Sequence, residues 1–205
     1  MIAIIDYDAG NIKSVEKAIK YIGEDVVLTR DREKILGADG VILPGVGAFG
    51  DAMEKLNSYG LSDVLRQVAE SKKPFLGICL GQQLLFEESE ESPGVKGLGI
   101  LKGRIVRLPS DKGLKIPHIG WNDLKYPHKG RLFEGVPEGS YVYFVHSYYL
   151  EVSDPSIVTA TSEYGATIQA SVECGNVFAT QFHPEKSSDI GLKMLRNFVS
   201  VVKAG

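Results

Sequence analysis

A cysteine, a histidine and a glutamate occupy settings in which they could attack a carbonyl carbon together. Cys79 lies in PFLGICLGQQ, residues 74–83. The apolar run before it reads as a buried strand, and the segment from Gln82 to Glu88 after it favours helix. Gly77 and Gly81 flank the thiol in a Gly-x-Cys-x-Gly pattern, the form of a nucleophile elbow on a strand-to-helix turn. Glycines let neighbouring backbone approach where a Cβ would clash, and a helix start offers free N–H groups and a positive dipole end. Such a setting favours the thiolate, the form that attacks carbon. A buried structural cysteine is the alternative use of the same residue. A nucleophile also requires a base.

The base is sought in QFHPEK, residues 181–186. Proline at 184 pushes His183 into extended backbone, where residues two apart share a side. His183 and Glu185 are therefore expected to project together. A carboxylate there orients the imidazole that takes the thiol proton, giving a Cys–His–Glu triad. His118, His128 and His146 are the other histidines, and none has an acid two residues on. His128 lies in a Pro-His-Lys-Gly loop, whereas His146 ends the alternating run 141–145 and could line the same cleft. An exposed turn carrying a solvated His and Glu is the plainer use of this segment.

The loop after the apolar run 41–43 contains Gly45, Gly47 and Gly50, which spell Gly-x-Gly-x-x-Gly. A dinucleotide fingerprint needs an acid closing the next strand, and here the next strand leads into Cys79. The better use of this loop is to turn backbone N–H groups towards an oxyanion. Val46 and Gly47, with the N–H of Leu80, would form the hole, each donor contributing ~2.7–4 kcal/mol of barrier lowering.

The chain has 205 residues, 43% hydrophobic, with a formal net charge of −3. That size supports one domain, residues 1–205, and that charge gives no support for general nucleic-acid binding. The chain starts directly on a strand pattern, with no basic leader, and no apolar run approaches the ~20 residues of a membrane span. Two cysteines without ligand-like spacing argue against a disulfide framework and a metal site. Cys174 falls at a hairpin turn. A reducing, cytoplasmic setting is expected.

Apolar runs at 2–5, 26–28, 41–43 and 75–78 read as buried parallel strands. Ile12, Val15, Ile19 and Ile22 share a helix face capped by Asn11, and a second helical region, 53–68, breaks at Tyr59–Gly60. From Leu98 the pattern is strand-rich, at 100–101, 105–107, 141–146, 157–161, 167–172 and 177–182. A last helix, capped by Ser188 or Asp189, buries Ile190, Met194, Leu195, Phe198 and Val202. The expected fold is α/β, with a central mostly parallel sheet, flanking helices, and antiparallel strands added by the second half. Cys79 then sits at a strand's carboxyl end, where open α/β sheets place their sites.

Pro-Gly-Val-Gly at 44–47, Gly-Ile-Cys-Leu-Gly-Gln-Gln at 77–83 and His-Pro-Glu at 183–185 together resemble the class I (triad) glutamine amidotransferases. The segments 8–11, 86–97, 117–122, 143–147 and 183–187 extend the likeness along the chain. They point to a branch whose glutaminase passes ammonia to a cyclase subunit with a (β/α)8 barrel. The resemblance implies hydrolysis of glutamine with no cofactor and no metal. It implies that Gly47, Gln83, Glu91 and the backbone at His146, Ser147 and Tyr148 hold the substrate. Asn11, Trp121, Tyr143 and Lys186 are the expected contacts with the partner. Because Val46 is not glycine its peptide does not flip freely, so the isolated chain is expected to hold that N–H away from the substrate. A cysteine peptidase or amidase, a thiol sensor without catalysis and a dinucleotide-binding module are the competing classes. Glutamine turnover, dependence on Glu185 and dinucleotide affinity discriminate among them.

Overall fold

A computed structural model describes residues 1–205. In chain order it contains β1 (Ile2–Ile5), α1 (Ile12–Tyr21), β2 (Val26–Thr29), α2 (Arg32–Gly37), β3 (Gly40–Leu43), α3 (Phe49–Ser58), α4 (Leu61–Glu70), β4 (Phe75–Ile78) and α5 (Leu80–Leu84). There follow β5 (Glu88–Ser89), β6 (Gly103–Arg107), β7 (His118–Asp123), β8 (Tyr141–His146), β9 (Tyr148–Val152), β10 (Val158–Glu163), β11 (Thr167–Cys174), β12 (Val177–Thr180) and α6 (Ser188–Ala204).

Seven strands form the main sheet in the order β10-β11-β12-β4-β3-β1-β2. From β2 to β12 every pairing is parallel, and β11 and β10 continue it antiparallel. The strands β1, β3 and β4 are buried at every residue, which is why they read as continuous apolar runs. One sheet face packs on α3 and α4 through Met53, Leu56, Val64, Leu65 and Val68. The other packs on α1 and α6 through Val15, Ile19, Met194, Leu195 and Phe198. Two small sheets, β5-β6-β9 and the hairpin β7-β8, lie beside this frame. No helix is long and apolar enough to cross a membrane.

Several local expectations require correction. The pair 100–101 is not a strand, and the helix after Cys79 begins at Leu80 and ends at Leu84. The Pro-His-Ile-Gly-Trp segment, outside the expected strand runs, is mostly strand β7, because its partner β8 offers a full register from His118–His146 to Asp123–Tyr141. Asn11 does not cap α1 with its side chain; its backbone is left-handed at φ 67° and its amide is used elsewhere. Neither Ser188 nor Asp189 caps α6, whose cap position is Ser187, and the Ser187 hydroxyl bonds to His183 and Tyr143 instead. Cys174 is exposed at the end of β11, beside the turn into β12, as its spacing implied.

The sheet carries the candidate site through one close crossing. A Cβ on Gly81 would overlap the Leu43 carbonyl oxygen at the end of β3. Gly81→Ala is expected to lower stability by about 3 kcal/mol, a fall in Tm of roughly 6–12 °C by thermal unfolding. Gly37→Ala, on an exposed turn of α2 with nothing near its Cβ, should leave Tm unchanged or slightly higher.

Candidate active site

The chain leaves β4 and turns at Cys79 with φ 56° and ψ −111°, a left-sided conformation that non-glycine residues rarely adopt. A residue held there costs of order 1–3 kcal/mol and persists only where its surroundings over-determine it. Two features do so. A Cβ on Gly77 would press on the Gly81 carbonyl at 2.8 Å, so the turn closes only with glycine at both flanks. The Cys79 N–H also donates to the Thr180 carbonyl at 2.7 Å, tying the elbow to the end of β12.

From that end the chain runs directly to the histidine. His183 is buried and extended, at φ −99° and ψ 97°, as expected before proline. Pro184–Lys186 then forms a 3-10 turn rather than continued strand. His183 and Glu185 do meet, with Nδ1 at 2.7 Å from Oε1, but across this turn and not by strand alternation. Both side chains are almost wholly shielded from solvent. Glu185 Oε1 also accepts from the Asn11 amide at 3.0 Å, so Asn11 fixes the carboxylate that fixes the imidazole.

The segment is further tied to β8. The His183 N–H donates to the Tyr143 carbonyl, the Tyr143 N–H donates to the Ser187 hydroxyl, and that hydroxyl donates to the His183 carbonyl at 2.6 Å. Burial pulls the His183 imidazole towards neutrality, yet hydrogen bonding and charge from Cys79 and Glu185 outweigh it, holding its pKa up at about 10. Its buried Nε2 has no partner meeting strict hydrogen-bond geometry, which leaves it open to the sulfur whose charge it feels. A proton held on His183 beside a thiolate is the arrangement that attacks an amide carbon and then protonates its nitrogen.

A cavity of about 290 Å³ opens over the thiol. The expected substrate residues Gly47, Gln83, Glu91, His146, Ser147 and Tyr148 all line it, together with Val46, Cys79 and Leu80. Pro117 and Val145 line it as well and were not foreseen. Glu91 is half-buried, not a solvated surface residue. One of its oxygens accepts from the Phe49 N–H at 2.8 Å, satisfying the start of α3 that Ala48 leaves uncapped.

His146 is held neutral by burial. Its Nδ1 donates to the Tyr148 carbonyl at 2.9 Å, so its Nε2 accepts, at 3.0 Å, from His118 Nδ1. The His118 ring is stacked between Phe144 and Tyr164.

Of the oxyanion donors, Leu80 differs from expectation. The Leu80 N–H is not free; it donates to the Gly45 carbonyl at 3.3 Å. In a trans peptide the N–H opposes the C=O, so a Gly45 oxygen aimed at Leu80 turns the Val46 N–H the other way. The loop is anchored behind by Tyr7, whose buried hydroxyl donates to the Pro44 carbonyl at 2.8 Å. Burial and the neighbouring Cys79 charge push the Tyr7 pKa upward, keeping that proton in place.

None of the four expected partner contacts lines the cavity. Trp121 is half exposed on β7, with its ring 6.1 Å from that of Tyr143 on β8, and the Lys186 ammonium lies 5.9 Å from the Tyr143 ring centre. Asn11 donates to Glu185 through its side-chain amide. Tyr7, Gln181 and Ser187 shape the site without having been singled out. Gln181 and Ser187 stood inside or beside the quoted histidine segment, so only their three-dimensional partners were hidden.

The class-I glutamine amidotransferase family model matches residues 3–202. The chain is 54% identical over 204 residues to the imidazole glycerol phosphate synthase subunit HisH of Bacillus cereus strain G9842, covering all of this chain and 96% of that one. It is 52% identical over 202 residues to the HisH subunit of Moorella thermoacetica, covering 98% and 95%. Among solved structures, a glutamine amidotransferase superposes with a TM-score of 0.78 at 22% identity, over 99% of this chain and all of the other. PurLQS from Thermotoga maritima superposes at 0.73 and 22%, over 98% of each. These two likenesses concern the fold.

The neutral histidine pair gives stability a pH dependence. Burial drives His118 down to about 4. Burial drives His146 down to about 3 against its bond to Tyr148, with the charges of His118 and His183 adding to the fall. Such groups bind protons more readily when unfolded, so their contribution is whole above about pH 6.5 and is lost as pH falls towards 4 and 3. His183, held up, contributes fully below about pH 6.5 and loses its effect as pH rises through about 10, so it does not flatten the acid side. Urea unfolding measured from pH 8 to pH 4 should show stability declining from about pH 6.5. His118→Gln, which keeps a donor for His146, should weaken that decline.

Proposed function

The chain belongs to the class-I glutamine amidotransferase family, and from that premise we propose that it is the glutaminase subunit of an imidazole glycerol phosphate synthase. The observation that carries the chemistry is the buried alignment of Glu185, His183 and Cys79 behind one cavity. The Cys79 sulfur attacks the side-chain carbonyl carbon of glutamine. His183 gives its proton to the amide nitrogen, the C–N bond breaks, and ammonia leaves with a glutamyl thioester on Cys79. Water then attacks the thioester, His183 takes its proton, and glutamate departs as the thiolate re-forms. Glu185, steadied by Asn11, keeps Nδ1 donating and Nε2 turned to the sulfur.

Glu91 and the Gln83 amide oxygen suit the α-ammonium of glutamine, and backbone N–H groups at Ser147 and Tyr148 suit its carboxylate. No metal or cofactor has a role in this scheme. The synthase partner is a (β/α)8-barrel cyclase that receives ammonia directly. It uses the ammonia to make imidazole glycerol phosphate and aminoimidazole carboxamide ribotide for histidine biosynthesis. Trp121, Tyr143 and Lys186 form the docking face and Asn11 its inner edge, Trp121 being the large exposed aromatic that interfaces favour. The whole chain, residues 1–205, acts as one amidotransferase domain, in the cytoplasm, without nucleic acid or membrane as partner.

The Gly45–Leu80 hydrogen bond supports a gated hydrolase. Rotation of the Gly45–Val46 peptide would free Leu80 and turn the Val46 N–H inward, supplying two oxyanion donors at once. Docking of the cyclase with its acceptor substrate drives that rotation.

Cys79→Ala, assayed with the cyclase, should abolish glutamine-dependent synthesis while ammonium-dependent synthesis survives. Retained turnover of glutamine would refute the nucleophile. Glu185→Gln should lower kcat on the order of 10⁴-fold, as loss of an orienting carboxylate does elsewhere. Glutamate release by the isolated chain should be at least about 100-fold slower than in the acceptor-bound complex, the cost of lacking even one oxyanion donor. Equal rates would refute gating.

A further inference from the structure

A buried chain of amide groups runs from the cavity wall to the back of the nucleophile, and its polarity is fixed. The Tyr148 carbonyl can only accept a hydrogen bond, and it takes one from Gln83 Nε2 at 3.1 Å. The NH₂ end of Gln83 is therefore identified, and its second hydrogen goes to Gln181 Oε1 at 3.0 Å. That contact in turn fixes Gln181: its oxygen faces Gln83, so its own NH₂ group faces Cys79, with Nε2 3.8 Å from Sγ. His146 Nδ1 fills the other lone pair of the Tyr148 carbonyl, which blocks an alternative partner there. Gln181 is wholly buried, and its backbone N–H is held by Ala170 across the sheet, so the amide has little freedom to turn away.

We infer that Gln181 is a further catalytic residue: its side-chain N–H donates to the Cys79 thiolate and stabilises it before and after acyl transfer. This rests on the reading of Cys79 as the nucleophile. A buried anion needs more than one partner, and His183 must turn its proton from the sulfur to the departing nitrogen as the C–N bond breaks. Gln181 cannot give up its proton, so it remains a donor to sulfur at every stage. The same relay orients Gln83, whose Oε1 has no hydrogen bond in the chain and is left for the substrate. Glutamine binding and thiolate stabilisation thus share one pair of amides.

The test uses the cyclase complex of two variants. Gln181→Met keeps bulk and removes the donor. Gln181→Glu keeps an acceptor for Gln83 and sets a negative charge against the sulfur. The pH dependence of Cys79 alkylation by iodoacetamide should move to higher pH in the Met variant and further in the Glu variant. Glutaminase kcat should fall about tenfold or more in both variants, as expected when a hydrogen bond to a charged group is removed, with KM within about twofold in the Glu variant, which keeps the acceptor for Gln83. Ammonium-dependent synthesis should persist, marking intact folding and docking. With Gln181 intact, its side-chain amide proton resonance should shift when Cys79 is changed to alanine, a measurement independent of the stability of the Gln181 variants. An unmoved alkylation profile in both variants, or an unmoved resonance, would overturn the inference. Alkylation of Cys79 that leaves glutaminase activity intact would instead overturn the nucleophile itself, and the inference with it.

Discussion

The site depends on one backbone approach, the passage of the Cys79 turn over the end of β3. A non-glycine residue at φ 56° is held only because Gly77 and Gly81 let two peptide segments pack where side chains would collide. From that turn the thiol faces the cavity, Leu80 starts a short helix against the Gly45 loop, and the N–H of Cys79 fastens to Thr180. Because β12 lies beside β4 in the sheet, the same fastening sets where the chain carries His183. Nucleophile and base are thus positioned by adjacent strands, with no mobile loop between them.

Around this frame the buried polar groups fall into two sets with opposite requirements. His183 holds its proton in a shielded place, and the Asn11 and Gln181 amides stand beside its partners Glu185 and Cys79. His118 and His146 are kept neutral by desolvation, which at His146 outweighs the opposing bond to the Tyr148 carbonyl. His183 and His146 feel each other's charge, so neutrality at the second favours protonation at the first.

Much of this was readable in the sequence where a local rule dominates. Buried parallel strands announce themselves as unbroken apolar runs, and glycines around a cysteine announce an elbow. The proline after His183 gave the extended backbone, but the following 3-10 turn depends on Ser187 clamping His183 to Tyr143, a contact between distant segments. Asn11 carried a sound capping signal that tertiary structure overrode, since Glu185 competes for the same amide. Strand β7 was hidden because two of its residues, Ile119 and Trp121, face outwards and blur the alternation, and only pairing with β8 makes it a strand. The Gly45–Leu80 contact had no signal at all. Peptide orientation in a glycine loop is decided by neighbours that sequence order does not reveal.

Tyr143 reaches the base through its main chain alone, its carbonyl accepting from His183 and its N–H donating to Ser187, while its ring stands with Trp121 on the outer face. Main-chain groups are indifferent to side-chain identity. Position 143 is therefore free to drift as a docking partner drifts, without disturbing the imidazole behind it. Only proline, which lacks the N–H, would couple the two. Lineages can rewrite that outer surface while inheriting the same proton-transfer geometry.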